Sequence, residues 1–276
     1  MGIIKKNYFN IFKIIPIFLF FVACSSPDKT TETKKISDIN MYKNGLLFLE
    51  NSDYDKALIE FESLFLNYPF SSLATKAEIL SAYSLYQKNE IDKAINKLKV
   101  FIEINPKGNL SEYAQYLLAM CYYIQISNNG RDSSINKKAL NYFKIIVTKY
   151  PNSKYSKDAK IKIEYIRNTL AKNELMIGKF YLKRKAPASS IKRFKLILKE
   201  YQNTSVIPET LFRLNEALLM LGLKEEAVKS NAILNYNFPK NEWAIISKKL
   251  FKKNSKIVKN YGLTSRINNY IKTIFD

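Results

Sequence analysis

The sequence predicts an all-α protein, a solenoid of about five helix pairs with an extra long helix between the third and fourth pairs. Three observations lead to this prediction. A small residue, followed four positions later by a bulky one and twelve positions later by proline, recurs along the chain. A second small residue lies twelve positions before the first in three of the copies. The segment 155–183 holds no proline and a single glycine, which favours one long helix.

The first 23 residues are typical of a secretory signal peptide. Three lysines accompany an apolar run at 14–22, which is too short to span a bilayer because a spanning helix needs about 20 apolar residues. The run ends in FVAC at 21–24, which resembles a bacterial lipoprotein processing site. By this resemblance Cys24 is the lipid attachment site, and Ser25 after it implies an outer-membrane destination. The alternative is plain secretion with an incidental cysteine.

The polar segment 24–37 lacks aromatic residues and is predicted to be a flexible, lipid-anchored tether. The repeats follow it. The copies, each given as the small residue, the bulky position and the proline position, are Ala57–Phe61–Pro69, Ala94–Leu98–Pro106, Ala139–Phe143–Pro151, Ser190–Phe194–Gln202 and Ala227–Asn231–Pro239.

Each part of this pattern has a steric reason. Gly45, Ala82 and Gly178 lie twelve residues before a small residue, at positions where the two helices of a pair would cross closely. A larger side chain at such a crossing would hold the helices apart. Proline ends the second helix because it lacks an N–H group and disfavours helix in the preceding residue. This is the tetratricopeptide frame of about 34 residues per pair, with copies at 38–71, 75–108, 112–153, 171–204 and 208–241.

The frame divides the chain into segments. Residues 38–153 hold repeats 1–3, and 125–134 is by composition a loop inserted in the third repeat. Residues 154–253 hold the long helix and repeats 4–5. Residues 254–276 form a C-terminal tail that is predicted to be helical.

The composition excludes most enzyme chemistry. The chain has no histidine, so neither a Ser-His-Asp triad nor a histidine metal ligand is available. Its seven glycines lie too far apart for a phosphate-binding loop, and two cysteines cannot form a Cys₄ zinc site. Cys121 lies in an apolar helical run and is predicted to be buried and inert. We therefore expect a binding protein without catalytic residues, cofactor or metal; a glycan-cleaving solenoid enzyme would need a further module that the chain has no residues to build.

The net charge of +21 comes from 39 lysines and only six arginines. Nucleic-acid recognition favours arginine, so no nucleic-acid partner is expected. The lysines are either a solvated surface, or they attract an anionic membrane surface or an acidic partner.

The first helices of the pairs are expected to line the concave face of the solenoid. Positions 2, 5, 9 and 12 of the repeat point there, and six of them in repeats 1–3 are tyrosine. Tyrosine suits a surface that contacts water until a partner binds. Two hypotheses explain these tyrosines. Either they line a groove for a peptide that carries aromatic residues, or they pack between neighbouring repeats. The six residues are Tyr42, Tyr83, Tyr86, Tyr113, Tyr116 and Tyr123.

Several short motifs in order resemble the BamD family, tetratricopeptide lipoproteins of the outer-membrane β-barrel assembly machinery. Lys185 departs from the family, which tends to have glycine at this position. The matching motifs are YPFS at 68–71, FIEINP at 101–106, GRD at 130–132, YPNSKY at 150–155, LAKNE at 170–174, YLKR at 181–184 and IKRF at 191–194.

The resemblance implies a non-enzymatic protein anchored by lipid to the outer membrane and facing the periplasm. It implies that the C-terminal repeats bind the central β-barrel subunit, with Arg193 at the contact, and that Arg184, Arg131 and Asp132 are further partner-binding candidates. It also implies other assembly lipoproteins as partners, and unfolded outer-membrane protein substrates bound by the N-terminal repeats, with Tyr68 in the substrate segment. Structural roles remain as alternatives: Arg193 as a surface arginine and Tyr68 as a helix-end packing residue. The alternative function is a periplasmic tetratricopeptide adaptor for cell-wall or division machinery.

Overall fold

A computed structural model describes residues 37–108, 110–126 and 133–253. These residues form eleven α-helices and no strand, so the all-α prediction is confirmed. The signal peptide, Cys24, the loop residues Arg131 and Asp132, and the tail 254–276 lie outside the described residues. The helices are α1 (Asp38–Glu50), α2 (Tyr54–Asn67), α3 (Ala74–Gln87), α4 (Ile91–Ile104), α5 (Ser111–Tyr123), α6 (Ser134–Lys149), α7 (Lys154–Lys183), α8 (Pro187–Glu200), α9 (Ile207–Met220), α10 (Lys224–Asn237) and α11 (Glu242–Lys253).

Successive helices pack against each other in pairs. Helices α1 to α10 form the five predicted pairs, and the second helix of each pair also packs on the first helix of the next. The first helices α3, α5, α7 and α9 contact one another in order as well. This is the arrangement of a tetratricopeptide-repeat solenoid.

The predicted close crossings are confirmed at the two glycines. A Cβ atom added at Gly45 would lie 2.5 Å from Cε1 of Phe61, and one added at Gly178 would lie 2.3 Å from Cε1 of Phe194. Both phenylalanines are fully buried. The ring of the second helix therefore fills the space that the missing side chain of the first helix leaves.

The second helices end as the sequence predicts. Tyr68 and Tyr150 precede prolines and cap their helices with φ near −130°. Tyr201 precedes Gln202 instead and has the same φ. Proline therefore favours this ending but is not required for it.

The turns inside four repeats use a left-handed backbone residue five positions before the small residue. Gly222 has φ of 75°, and Ser52, Asn89 and Lys185 have φ between 56° and 62°. Only glycine adopts this region without steric strain. Lys185 thus occupies a position whose backbone conformation favours glycine.

The long helix is present, and it is continuous with the first helix of repeat 4. α7 runs for 30 residues from the cap Ser153, whose side chain accepts a hydrogen bond from the backbone N–H of Tyr155 at 3.0 Å. α7 packs on α6, and Ala159 and Ile166 of its first half lie in one core cluster with Phe143 and Ile146 of α6. Its second half carries Gly178 against Phe194 of α8. No helix-breaking residue separates the two halves.

α11 packs on α9 and α10 and covers the end of the fifth repeat. The Trp243 ring lies 5.2 Å from that of Phe212, and Phe251 is buried. Among the helices described, none combines the length and the apolar character that crossing a bilayer requires.

Candidate partner-binding surfaces

Five of the predicted groove tyrosines lie in one aromatic line along repeats 2 and 3. Tyr83 and Tyr86 stack with ring centroids 6.3 Å apart, and burial together with these two rings raises the pKa of Tyr113. Tyr116 and Tyr123 continue the line, each edge-on to the buried ring of Phe143 at 6.3 and 5.8 Å. All five are half-buried. They therefore pack between repeats and still present part of their surface to solvent.

The first half of α7 contributes two tyrosines that the sequence reasoning missed. Tyr155 stacks on Tyr116 at 4.7 Å and lies 5.7 Å from Tyr113, while Tyr165 meets Tyr123 edge-on at 5.9 Å. The signal was present, because positions 2, 5, 9 and 12 counted from Lys154 are Tyr155, Asp158, Lys162 and Tyr165. The first half of α7 thus behaves as a further first helix.

A carboxylate and an ammonium group fix this line of rings. The Tyr116 hydroxyl donates to Oδ2 of Asp158 at 2.7 Å, and Nζ of Lys162 lies 2.9 Å from Oδ1 of the same carboxylate. Lys162 also lies over the Tyr123 ring at 5.2 Å. Burial acts to raise the pKa of Asp158, but the hydrogen bonds from Tyr116 and Lys162 prevail and lower it. Burial and the nearby carboxylate raise the pKa of Tyr116, so its hydroxyl stays a donor.

The remaining two tyrosines lie in the first repeat. Tyr42 is half-buried, edge-on to Phe61 at 6.1 Å. Tyr68 caps α2, and its backbone N–H donates to the Leu64 carbonyl oxygen at 2.9 Å. Phe70, two residues further on, is fully exposed.

A second candidate surface lies where α7 and α8 meet. The Arg193 guanidinium is 3.0 Å from Oε2 of Glu174, and its side chain remains 39% exposed. It borders a surface pocket of about 310 Å³ that Tyr181, Ser189, Lys192 and Leu196 also line. A basic group, a neighbouring ammonium and apolar walls suit an acidic side chain that is flanked by an apolar one.

Of the other predicted partner residues, Arg184 is the one that lies in the described part of the chain. Arg184 is exposed after the end of α7, with its guanidinium over the Phe180 ring at 5.3 Å. Arg131, Asp132 and Cys24 lie outside the described residues. Within the described part of the chain, no group of three His, Cys, Asp or Glu side chains is arranged to hold a metal ion.

The fold and these surfaces define a tetratricopeptide-repeat protein whose exposed features suit polypeptide partners. The family model "YfiO: Outer membrane lipoprotein" matches residues 34–233, more than half of the chain. The chain therefore belongs to the YfiO outer membrane lipoprotein family, and the predicted family resemblance is confirmed.

Relatives named "Outer membrane protein assembly factor BamD" match most of the chain. The protein of Rickettsia prowazekii (strain Madrid E) is 37% identical over 212 residues, which cover 77% of this chain and 84% of the relative. That of Caulobacter vibrioides is 35% identical over 214 residues, covering 78% and 70%. Among solved structures, the TPR2AB domain of yeast Sti1 in complex with pHSP90 aligns at 13% identity and a TM-score of 0.45, covering 80% and 87%.

Proposed function

We propose that this chain is a non-enzymatic scaffold lipoprotein of the outer-membrane protein assembly machinery. The observation that carries the proposal is its family membership, together with relatives named as outer-membrane protein assembly factors at up to 37% identity. In this proposal Cys24 carries the lipid anchor and the repeats face the periplasm. The chain then holds its partners in place, while burial in lipid drives the folding of the barrel substrates.

The α7–α8 surface is the proposed contact for the central barrel subunit. Arg193 is held by Glu174 and keeps part of its guanidinium accessible beside the pocket, so a partner carboxylate can take over or share the ion pair. Arg184 adds a second exposed cation. Arg131 and Asp132 remain proposed contacts for this subunit or for the other assembly lipoproteins.

The aromatic line of repeats 2 and 3 is the proposed site for unfolded outer-membrane protein substrates. Half-buried tyrosines held by their neighbours lose little conformational entropy when a peptide packs on them. Tyr155 and Tyr165 extend the line to the first half of α7, with Lys162 beside them. Tyr42 and Tyr68 are proposed to contact the same substrates from the first repeat.

Co-purification from detergent-solubilised envelope tests the proposed function. We expect a β-barrel subunit of the assembly machinery to be recovered with the chain. Recovery of cell-wall or division proteins in its place would support the adaptor alternative and overturn the proposal.

Substitution of Arg193 tests the proposed partner contact. Arg193→Glu should weaken binding to the barrel subunit and leave the fold intact, whereas Lys240→Glu, the same charge reversal on an exposed residue of repeat 5, should leave binding unchanged. Combining Arg193→Glu with Glu174→Arg restores a local ion pair and controls for folding. If Arg193→Glu alone still binds the subunit at the wild-type level, Arg193 is a surface arginine.

Cross-linking to a synthetic barrel C-terminal peptide tests the groove. Tyr83→Ala with Tyr116→Ala should lower the yield, while Tyr236→Ala, which removes an exposed ring on α10, should leave it unchanged. An unchanged yield in the double variant would mean that these tyrosines serve only to pack the repeats.

A further inference from the structure

The outer sides of α4 and α6 carry an unusual concentration of unpaired positive charge. α6 has four lysines and no acidic residue, and all four are exposed. α4 and the turn after it add two exposed lysines that form no ion pair with a described residue, while the exposed Lys93 of α4 is paired with Glu90. None of the six forms an ion pair with any described residue. This cationic face consists of Lys99, Lys107, Lys137, Lys138, Lys144 and Lys149.

The repeat frame and two contacts bring the helices of the cationic face together. Lys99 and Lys144 both lie five residues after the small residue of their repeat. Nζ of Lys149 donates to the Pro106 carbonyl oxygen at 3.2 Å, which ties the end of α6 to the end of α4. Burial raises the pKa of Tyr142 on α6, and the nearby positive charge of Lys99 opposes that rise. The lysines of consecutive repeats therefore contribute to one local field.

Aliphatic side chains lie among these charges. Val100 and Ile104 of α4 are 51% and 69% exposed. The two helices carry only two carboxylates, Asp92 and Glu103, both on α4. The face therefore combines an excess of flexible ammonium groups with two exposed aliphatic groups.

We propose that the cationic face binds the surface of an anionic phospholipid bilayer. Lysine clusters are attracted to anionic headgroups by charge alone, and their long aliphatic stems allow nearby apolar side chains to enter the interface. A partner protein is a less suitable occupant of this face, because the cores of protein–protein interfaces are enriched in aromatic residues and arginine and depleted in lysine. On α4 and α6 the exposed large apolar side chains are Val100 and Ile104, and none is aromatic.

The proposed anchor is compatible with this orientation. Thirteen residues separate Cys24 from the start of α1, a reach of at most roughly 45 Å when extended. Contact through the cationic face would then give a solenoid anchored at Cys24 a defined orientation on the bilayer. The excess positive charge of the chain would then serve membrane contact, separately from partner binding at the α7–α8 surface.

Vesicle flotation tests the proposal without the anchor. The mature chain, residues 24–276 with Cys24→Ala, is mixed with vesicles of phosphatidylcholine alone or of phosphatidylcholine with phosphatidylglycerol. We expect binding to the anionic vesicles only, and weaker binding at high salt. Equal binding to both vesicle types, or binding to neither, overturns the proposal whether or not Cys24 is acylated in the cell.

Charge reversal locates the binding. Lys99→Glu with Lys144→Glu should weaken binding to anionic vesicles by at least about tenfold, with an unchanged circular dichroism spectrum. Lys224→Glu with Lys240→Glu changes the net charge equally on exposed residues of repeat 5 and should weaken it by less than about threefold. Ile104→Ser should reduce binding while keeping the charge. An equal loss of vesicle binding in both double variants contradicts a bilayer-binding face. So does a chain that binds no vesicles but loses an acidic protein partner on Lys99→Glu with Lys144→Glu.

Discussion

Alanine at position 178 should destabilise the fourth repeat, although alanine is the better helix former. The new Cβ atom would lie 2.3 Å from the Phe194 ring, whereas ordinary contact begins near 3.4 Å. The ring is completely buried, so either α8 or the ring must shift by about 1 Å. Overpacking of this kind costs about 3 kcal/mol at the upper end of its range. The gain in helix propensity offsets about 1 kcal/mol, which leaves a net loss of about 2 kcal/mol.

Thermal unfolding followed by circular dichroism measures this loss. For a chain of this size we expect Gly178→Ala to lower Tm by about 4–8 °C. Phe194→Leu alone should cost about 1 kcal/mol by leaving a small cavity. The two changes together recreate the pair that the second repeat has at the same positions, Ala82 and Leu98.

The double-mutant cycle decides whether the contact between residues 178 and 194 causes the loss of stability. If the clash between the two side chains sets the cost, the double variant should be at least about 1 kcal/mol more stable than the sum of the single effects. Strict additivity, or an unchanged or higher Tm for Gly178→Ala, would refute the reasoning. The third repeat has Ala119 and Phe143 at these positions, so a lower Tm for Gly178→Ala does not by itself establish the clash, and the double variant is needed.

Three further predictions concern a turn, a thiol and a carboxylate. Lys185→Gly should raise the free energy of unfolding by about 1 kcal/mol, because φ at this position is 56°. Lys183→Gly, at the last residue of α7, should lower it, and a destabilised Lys185→Gly would contradict the strain. Burial raises the pKa of the Cys121 thiol to about 12, so in a Cys24→Ala chain a thiol reagent at neutral pH should label Cys121 only after unfolding; rapid labelling of the folded chain would contradict its burial. The lowered pKa of Asp158 means that its contribution to stability is present above its unfolded pKa of about 4 and is lost as the pH falls through the lower folded value. Asp158→Asn should therefore flatten the loss of Tm between about pH 5 and pH 3, and an unchanged pH dependence would exclude this role.

The sequence predicted the helix crossings well because they depend on local steric relations. Gly45 with Phe61 and Gly178 with Phe194 are 16 residues apart, so a missing side chain and a large ring identify one crossing in each repeat. The helix endings follow from single residues for the same reason. Lys185 shows the limit of prediction from single residues. Its left-handed backbone conformation follows from its place in the repeat and not from its own residue type.

The aromatic line was predicted only in part because its last element departs from the 34-residue frame. Repeat counting placed the start of the fourth first helix at 171, which left the first half of α7 outside any repeat. In the structure Ala159 and Ile166 of that half share a core cluster with α6, and Tyr155 and Tyr165 join the line. The 34-residue repeat identifies only residues that keep its spacing. α7 departs from that spacing because no helix-breaking residue separates its two halves.

The fifth repeat shows how a departure from the apolar pattern is resolved by tertiary structure. Asn215 and Asn231 hold the two crossing positions that Gly178 and Phe194 hold in repeat 4. A buried amide is costly unless it is hydrogen-bonded, and Asn215 is completely buried. α11 supplies Ser247, whose hydroxyl donates to Oδ1 of Asn231 at 2.6 Å and accepts from Nδ2 of Asn215 at 3.4 Å. Oδ1 of Asn215 has no hydrogen-bond partner among the described residues, so the amide is satisfied only in part. The crossing of α9 and α10 thus includes a third helix, and the polar pair that weakens the repeat signal in the sequence adds hydrogen bonds to the apolar contacts that hold α11.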